Sequence, residues 1–116
     1  MASPPTQFKL QRIDTRAGPV AFVTMDNGED WRKPNTFGEQ ALRSLEETLG
    51  QLRTRDWRGL LLTGKPFVFA VGADIGEFGE ITPERAREGG EAGHELFGRI
   101  RELPFVTLAA INGAAL

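Results

Sequence analysis

Apolar and polar residues roughly alternate from Phe8 to Thr15, stop at the turn-forming run Arg16-Ala17-Gly18-Pro19, and give way to an apolar, strand-favouring stretch from Val20 to Met25. Alternation of period two marks a half-buried strand, so these segments predict a β-hairpin. The polar cluster Asp26-Asn27-Gly28-Glu29-Asp30 and the following Lys33-Pro34-Asn35 predict a loop. Thr36 then predicts a helix start, its hydroxyl capping the first turn while Glu39 reaches back in a capping box. Phe37, Ala41, Leu42, Leu45, Leu49 and Leu52 form one apolar stripe at helical spacing, with Glu46, Glu47 and Arg53 left for water.

The pattern changes at Gly59-Leu60-Leu61-Leu62-Thr63, a short continuous apolar run that predicts a strand buried on both faces, in a β-α-β arrangement with a partly parallel sheet. After the Gly64-Lys65-Pro66 turn, Phe67 to Val71 predicts a further strand, which passes through Gly72 and Ala73 to Asp74. Glu77 follows Asp74 at capping-box spacing. Thr82-Pro83-Glu84 combines a capping hydroxyl with a proline where its missing N–H costs nothing. The helix it starts is expected to run to about Leu103, presenting Leu96, Phe97, Ile100 and Leu103 on one face, with Gly89-Gly90 as a weak spot and Pro104 as its stop. Phe105 to Ile111 predicts another buried strand, and Asn112-Gly113 a turn. Ala114-Ala115-Leu116 follows directly on one of the most apolar stretches, whereas termini are usually polar and exposed, so an interrupted domain is expected.

Composition narrows the function classes. A length of 116 residues suits one domain, and 40% hydrophobic with 26% charged residues are the proportions of a soluble globular protein. The net charge of −2, with both signs interspersed, provides no basic stripe for a nucleic-acid backbone. Without cysteine there is no disulfide, thiolate nucleophile or cysteine metal site, and His94 alone cannot build a histidine cluster. The start Met-Ala-Ser-Pro-Pro-Thr lacks the features of a secretory signal, and no window is long and apolar enough to span a bilayer, so a cytoplasmic protein without membrane partners is expected.

The chemistry centres on Phe69-Ala70-Val71-Gly72-Ala73-Asp74-Ile75. A glycine turn between a buried strand and a helix start leaves backbone N–H groups unpaired, and such donors suit a developing negative charge. A plain structural junction has the same form, so the turn alone does not decide.

Three segments carry a resemblance: Pro34-Asn35-Thr36-Phe37; Phe69-Ala70-Val71-Gly72-Ala73-Asp74-Ile75-Gly76-Glu77-Phe78; and Leu103 to Leu116, which contains Ala109-Ala110-Ile111-Asn112-Gly113-Ala114-Ala115-Leu116. The second resembles the F-x-A-G-A-D-[IL]-x-E-[FM] signature and the third the P-x-[IV]-A-A-[IV]-N-G-x-A-L segment of the enoyl-CoA hydratase/isomerase (crotonase) family. The likeness runs from about Phe8 onward and covers somewhat under half of a usual family domain. It implies a crotonase-like (ClpP/crotonase) α/β fold, the β-β-α superhelix, incomplete in this chain: residues 1–7 form a tail and 8–116 the N-terminal portion.

The resemblance also implies an activity, the addition of water to 2-enoyl-CoA thioesters, with no cofactor beyond the coenzyme A of the substrate. Two backbone amides would hold the thioester oxygen, each worth about 3–4 kcal/mol to the enolate-like state. Ala73 matches the first donor, acting through its N–H, and Gly72, Asp74, Ile75 and Gly76 match positions around the thioester and the adenine-binding turn. The second donor, in a glycine run, and the catalytic glutamates match positions beyond Leu116, so the 116-residue piece alone is expected to be inactive. Related readings are the hydratase portion of a multifunctional fatty-acid oxidation enzyme, an isomerase and a non-catalytic fragment, and family members are commonly trimers or dimers of trimers. The Asp26 to Lys33 segment is a few residues longer than usual, and in the family this loop helps hold coenzyme A. Lys33 and Arg32 could therefore meet its phosphates, although solvated loop cations fit the same pattern. His94 matches no family motif and reads as an exposed or packed side chain rather than a catalytic base, and Trp31 and Trp57 read as packing residues rather than stacking platforms for adenine.

Overall fold

The computed structural model describes residues 4–74, 76, 79 and 81–116. The hairpin forms as expected from β1 (Gln7–Thr15) and β2 (Gly18–Asp26), antiparallel with Phe8 opposite Met25 and Thr15 opposite Gly18. α1 (Glu39–Arg53) crosses over to β3 (Gly59–Gly64), which runs parallel to β2 with Ala21 opposite Leu60. β4 (Phe67–Ala70) leaves this sheet, α2 (Pro83–Arg101) returns the chain, and β5 (Val106–Ala110) pairs parallel to β3. The main sheet therefore has the order β1-β2-β3-β5, while β6 (Gly113–Ala115) pairs parallel with β4 in a second, two-stranded sheet.

The main core lies on one face of the main sheet. Ala21, Val23 and Met25 of β2 and Leu60 of β3 pack with Leu45, Leu49 and Leu52 from the α1 stripe and Leu96 from α2. Burying one such aliphatic side chain is worth about 1.5–3 kcal/mol. Two hydroxyls on the same side of α1 tie down the edge strand β1: Phe8 N–H donates to Ser44 Oγ at 2.8 Å, and Thr48 Oγ1 donates to the Phe8 carbonyl at 3.2 Å. Phe37 stacks on Phe8 at 6.1 Å and meets Phe97 of α2 edge-on at 5.4 Å.

The α2 start is as expected, with Thr82 as N-cap accepting from Arg85 N–H and Pro83 in the first turn. Other expectations need correction. α1 begins at Glu39 behind Gly38, which makes no side-chain cap bond; Thr36 lies two residues earlier, with its backbone engaged elsewhere. Its N–H donates to Thr6 Oγ1 at 3.1 Å and its carbonyl accepts from the Thr6 hydroxyl at 2.8 Å. The same contact buries Thr6, within the stretch read as a tail, and β1 begins at Gln7. β5 is not buried: Val106 and Leu108 are 66% and 62% exposed, since they point to the sheet face opposite the helices. Gly113 opens β6 rather than only a turn, and a side chain there would collide with the Phe67 carbonyl, which lies 2.3 Å from an ideal Cβ position.

Candidate functional site

The Val71–Asp74 turn is held along one edge by the segment that precedes α1. Val71 N–H donates to the Asn35 carbonyl at 2.9 Å, Phe37 N–H to the Gly72 carbonyl at 2.8 Å, and Asp74 N–H to the Phe37 carbonyl at 2.9 Å. Phe37 and Ala73 thus form a parallel bridge. Along the other edge, the Ala70 carbonyl accepts from Leu116 N–H at 3.0 Å, bringing the end of β6 alongside.

Gly72 decides which backbone group faces β6. Its φ of +86° is a left-handed conformation that residues with a Cβ rarely adopt, and it turns its carbonyl toward Phe37. In a trans peptide the following N–H points opposite to that carbonyl. The Ala73 amide is therefore directed away from Phe37, toward the side of β6, and among the described residues it has no hydrogen-bond partner. A regular continuation of β4 would have presented a carbonyl there. The turn converts an acceptor edge into a donor, suited to an oxygen that gains negative charge.

The remaining residues expected at this site divide. Asp74 has its amide committed to Phe37, and its carboxylate accepts from Gly76 N–H at 2.9 Å, an Asx turn that shapes the backbone after Ala73. Ile75 and Glu77, with the second capping box, lie outside the described residues. Lys33 is exposed, its Nζ 3.8 Å from Glu29 Oε1, and Arg32 bonds Asp30 at 2.9 Å while lying over the Trp31 ring. Both loop cations have acidic neighbours within their own loop. His94 is exposed on α2, and Trp57 is a core residue.

A polar seam beneath the turn was not read from the sequence. Asn35 is fully buried, its Nδ2 donating to the carbonyls of Met25 at 2.8 Å and Phe69 at 3.1 Å, its Oδ1 accepting from Asn27 N–H at 3.1 Å. Lys65, 4% exposed, sends its ammonium into the Asn27–Lys33 loop, where its three N–H groups are shared among the carbonyls of Glu29 at 2.9 Å, Asp30 at 3.0 Å and Lys33 and the Oδ1 of Asn27. Burial holds its pKa below the usual lysine value of 10.5, against the opposing attraction of Asp26, Asp30 and Glu29. Asn112 joins the β3–β4 and β5–β6 connections, donating to the Lys65 carbonyl at 2.7 Å and accepting from Gly64 N–H at 3.1 Å. The available sequence signal was weak: asparagines at both ends of a polar loop, and a lysine between Gly64 and Pro66.

Residues 15–116 match the profile of the enoyl-CoA hydratase/isomerase family. The fatty acid oxidation complex subunit alpha of Aliivibrio fischeri is 37% identical over 103 residues, which take in 84% of this chain and 14% of that protein. Among solved structures, Pseudomonas aeruginosa DspI superposes with a TM-score of 0.73 at 30% identity, over 90% of this chain and 41% of that one. An enoyl-CoA hydratase from Bacillus anthracis gives 0.74 at 25% identity, over 90% and 40%. The chain spans less than half the length of each of these relatives. No helix among the described residues is long and apolar enough to cross a membrane.

Proposed function

Given that the chain belongs to the enoyl-CoA hydratase/isomerase family and has its crotonase-like fold, we propose that the whole protein adds water to 2-enoyl-CoA thioesters, with Ala73 N–H as one oxyanion donor. The observation that carries this reading is the Gly72 turn, which leaves on the β6 side an amide unpaired among the described residues. An enoyl thioester attacked at its β-carbon moves electron density onto the carbonyl oxygen, and a donor fixed before the reaction stabilises that charge without reorganising. The parallel pairing of β6 with β4 supports a second donor on the same side, as the resemblance implies for the glycine run beyond Leu116. The resemblance also puts the water-activating glutamates at positions outside these 116 residues, so the 116 residues alone are proposed to give no turnover. The chemistry draws on no cofactor besides the coenzyme A of the substrate, and the working form is proposed to be a cytoplasmic homotrimer or dimer of trimers.

A second reading places this chain in the hydratase portion of a multifunctional fatty-acid oxidation enzyme. It is favoured by the 37% identity to a fatty acid oxidation complex alpha subunit. An isomerase would share the Ala73 turn, and comparing hydration of crotonyl-CoA with double-bond shift of a 3-enoyl-CoA separates the two.

The test is a pair of substitutions in the whole protein. Ala73→Pro deletes the amide and Ala73→Ser keeps it, so the proline variant is expected to turn over crotonyl-CoA about 100- to 1000-fold more slowly. Equal rates from two folded variants would remove Ala73 from the mechanism.

A further inference from the structure

Lysine is almost never fully buried unless its charge is paired, because removing an ammonium from water costs several kcal/mol. Lys65 is buried with backbone carbonyls and an amide oxygen as its hydrogen-bond acceptors. The three carbonyls, from Glu29, Asp30 and Lys33, converge on one point. Carbonyl dipoles aimed at a common centre repel one another, so this loop conformation needs a cation at that centre. Asp26, Asp30 and Glu29 add attraction from the surrounding side chains.

The collar is continuous with the Ala73 turn. Asn27, whose Oδ1 meets the ammonium, donates its N–H to Asn35 Oδ1 and its Nδ2 to the carbonyls of Lys33 and Pro34. Asn35 in turn accepts from Val71 N–H, one residue before Gly72. We propose that Lys65 is a positioning residue of the acyl-CoA site: its ammonium gathers the Asn27–Lys33 loop, sets Asn35, and through Asn35 fixes the direction of the Ala73 amide. This rests on the reading of Ala73 as an oxyanion donor. Lys65 touches no reacting atom; it acts through the backbone of the loop.

The experiment uses Lys65→Ala in the whole protein, with crotonyl-CoA as substrate and amide hydrogen exchange as the structural readout. The variant should lose turnover by about 100-fold, with a smaller change in KM, because a misdirected amide weakens the transition state more than the ground state. Exchange should quicken at Phe37, Val71 and Asp74 while Leu45 and Leu49 of α1 keep their protection. n-Propylammonium, which replaces the missing chain end and its charge, should restore both readouts, and n-propanol should restore neither. Unchanged exchange at Val71 and Asp74, equal acceleration in α1, or equal rescue by propanol would each overturn the proposal. If Lys65→Ala does not fold, Asn27→Ala keeps the ammonium and its carbonyls and must show the same local exchange pattern. A wild-type protein that neither binds nor converts crotonyl-CoA would sink the reading of Ala73, while exchange and rescue would still decide whether Lys65 sets the turn.

Discussion

The two faces of the main sheet carry similar residues and end in different environments. On one, Ala21, Val23, Met25 and Leu60 are sealed under α1 and α2. On the other, Phe22 and Leu61 are half-buried, and Val106 and Leu108 stand largely in solvent. Register explains the division: Phe22, Leu61 and Leu108 are aligned across β2, β3 and β5, one residue out of phase with the sealed set. An apolar strand surface states a requirement for cover, and only a packed layer meets it. The candidate site occupies neither face. It sits on the polar seam of Asn27, Asn35 and Lys65, where hydrogen bonds do the work that apolar packing does in the core.

The contrast is tested most severely by truncating one leucine on each side in the 116-residue chain. Leu49→Ala should cost about 2–5 kcal/mol in denaturant unfolding, whereas Leu108→Ala should stay within about 0.5 kcal/mol. Equal losses would mean that the second face is covered in solution. Repeating the Leu108 substitution in the whole protein shows whether a further layer packs there.

Hydroxyls offer a gentler version of the same comparison. Ser44→Ala leaves the buried Phe8 N–H unpaired and should cost about 1–3 kcal/mol. Thr63→Ala, on the open side, removes an exposed bond to the Ala110 carbonyl and should cost about 0.5 kcal/mol. Thermal unfolding of the pair measures the difference, and a Thr63 variant as damaged as the Ser44 variant would contradict the division of faces.

The smallest effect concerns acid. Burial pushes the Asp26 carboxyl up, but Gly28 N–H, the Lys9 ammonium and the charge of Lys65 together hold its pKa below the usual 3.8. A pKa lowered on folding contributes stability that is present above the unfolded value and is lost as pH falls through the folded one. Wild type should therefore be slightly more stable than Asp26→Asn at pH 7, and the gap should close below about pH 3.8. A gap that does not narrow at all as pH falls below 3.8 would show that the two differ for a reason other than charge.

Much of the fold was legible. The hairpin, the α1 stripe, the parallel crossover to β3 and the Thr82 cap all follow from spacing and local chemistry within a few residues. The glycine turn was legible too, and the matching segments identified its family. The displaced helix start was not: the backbone of Thr36 pairs with the hydroxyl of Thr6, thirty positions earlier, and the helix begins only at Glu39. The exposure of β5 was equally hidden: an apolar run reads the same whether or not a layer lies over it.

Sequence by itself determined which segments are strands and helices, where glycine must break the backbone, and to which family the motifs belong, since these depend on residue type and near spacing. Tertiary structure alone decided that Lys65, in what reads as an ordinary turn, would bury its charge in a loop 32 to 38 positions away, and that the Gly72 carbonyl would meet Phe37 so that the Ala73 amide faces β6. Both outcomes rest on hydrogen bonds between distant segments, whose partners exist only once strand register has brought them within reach.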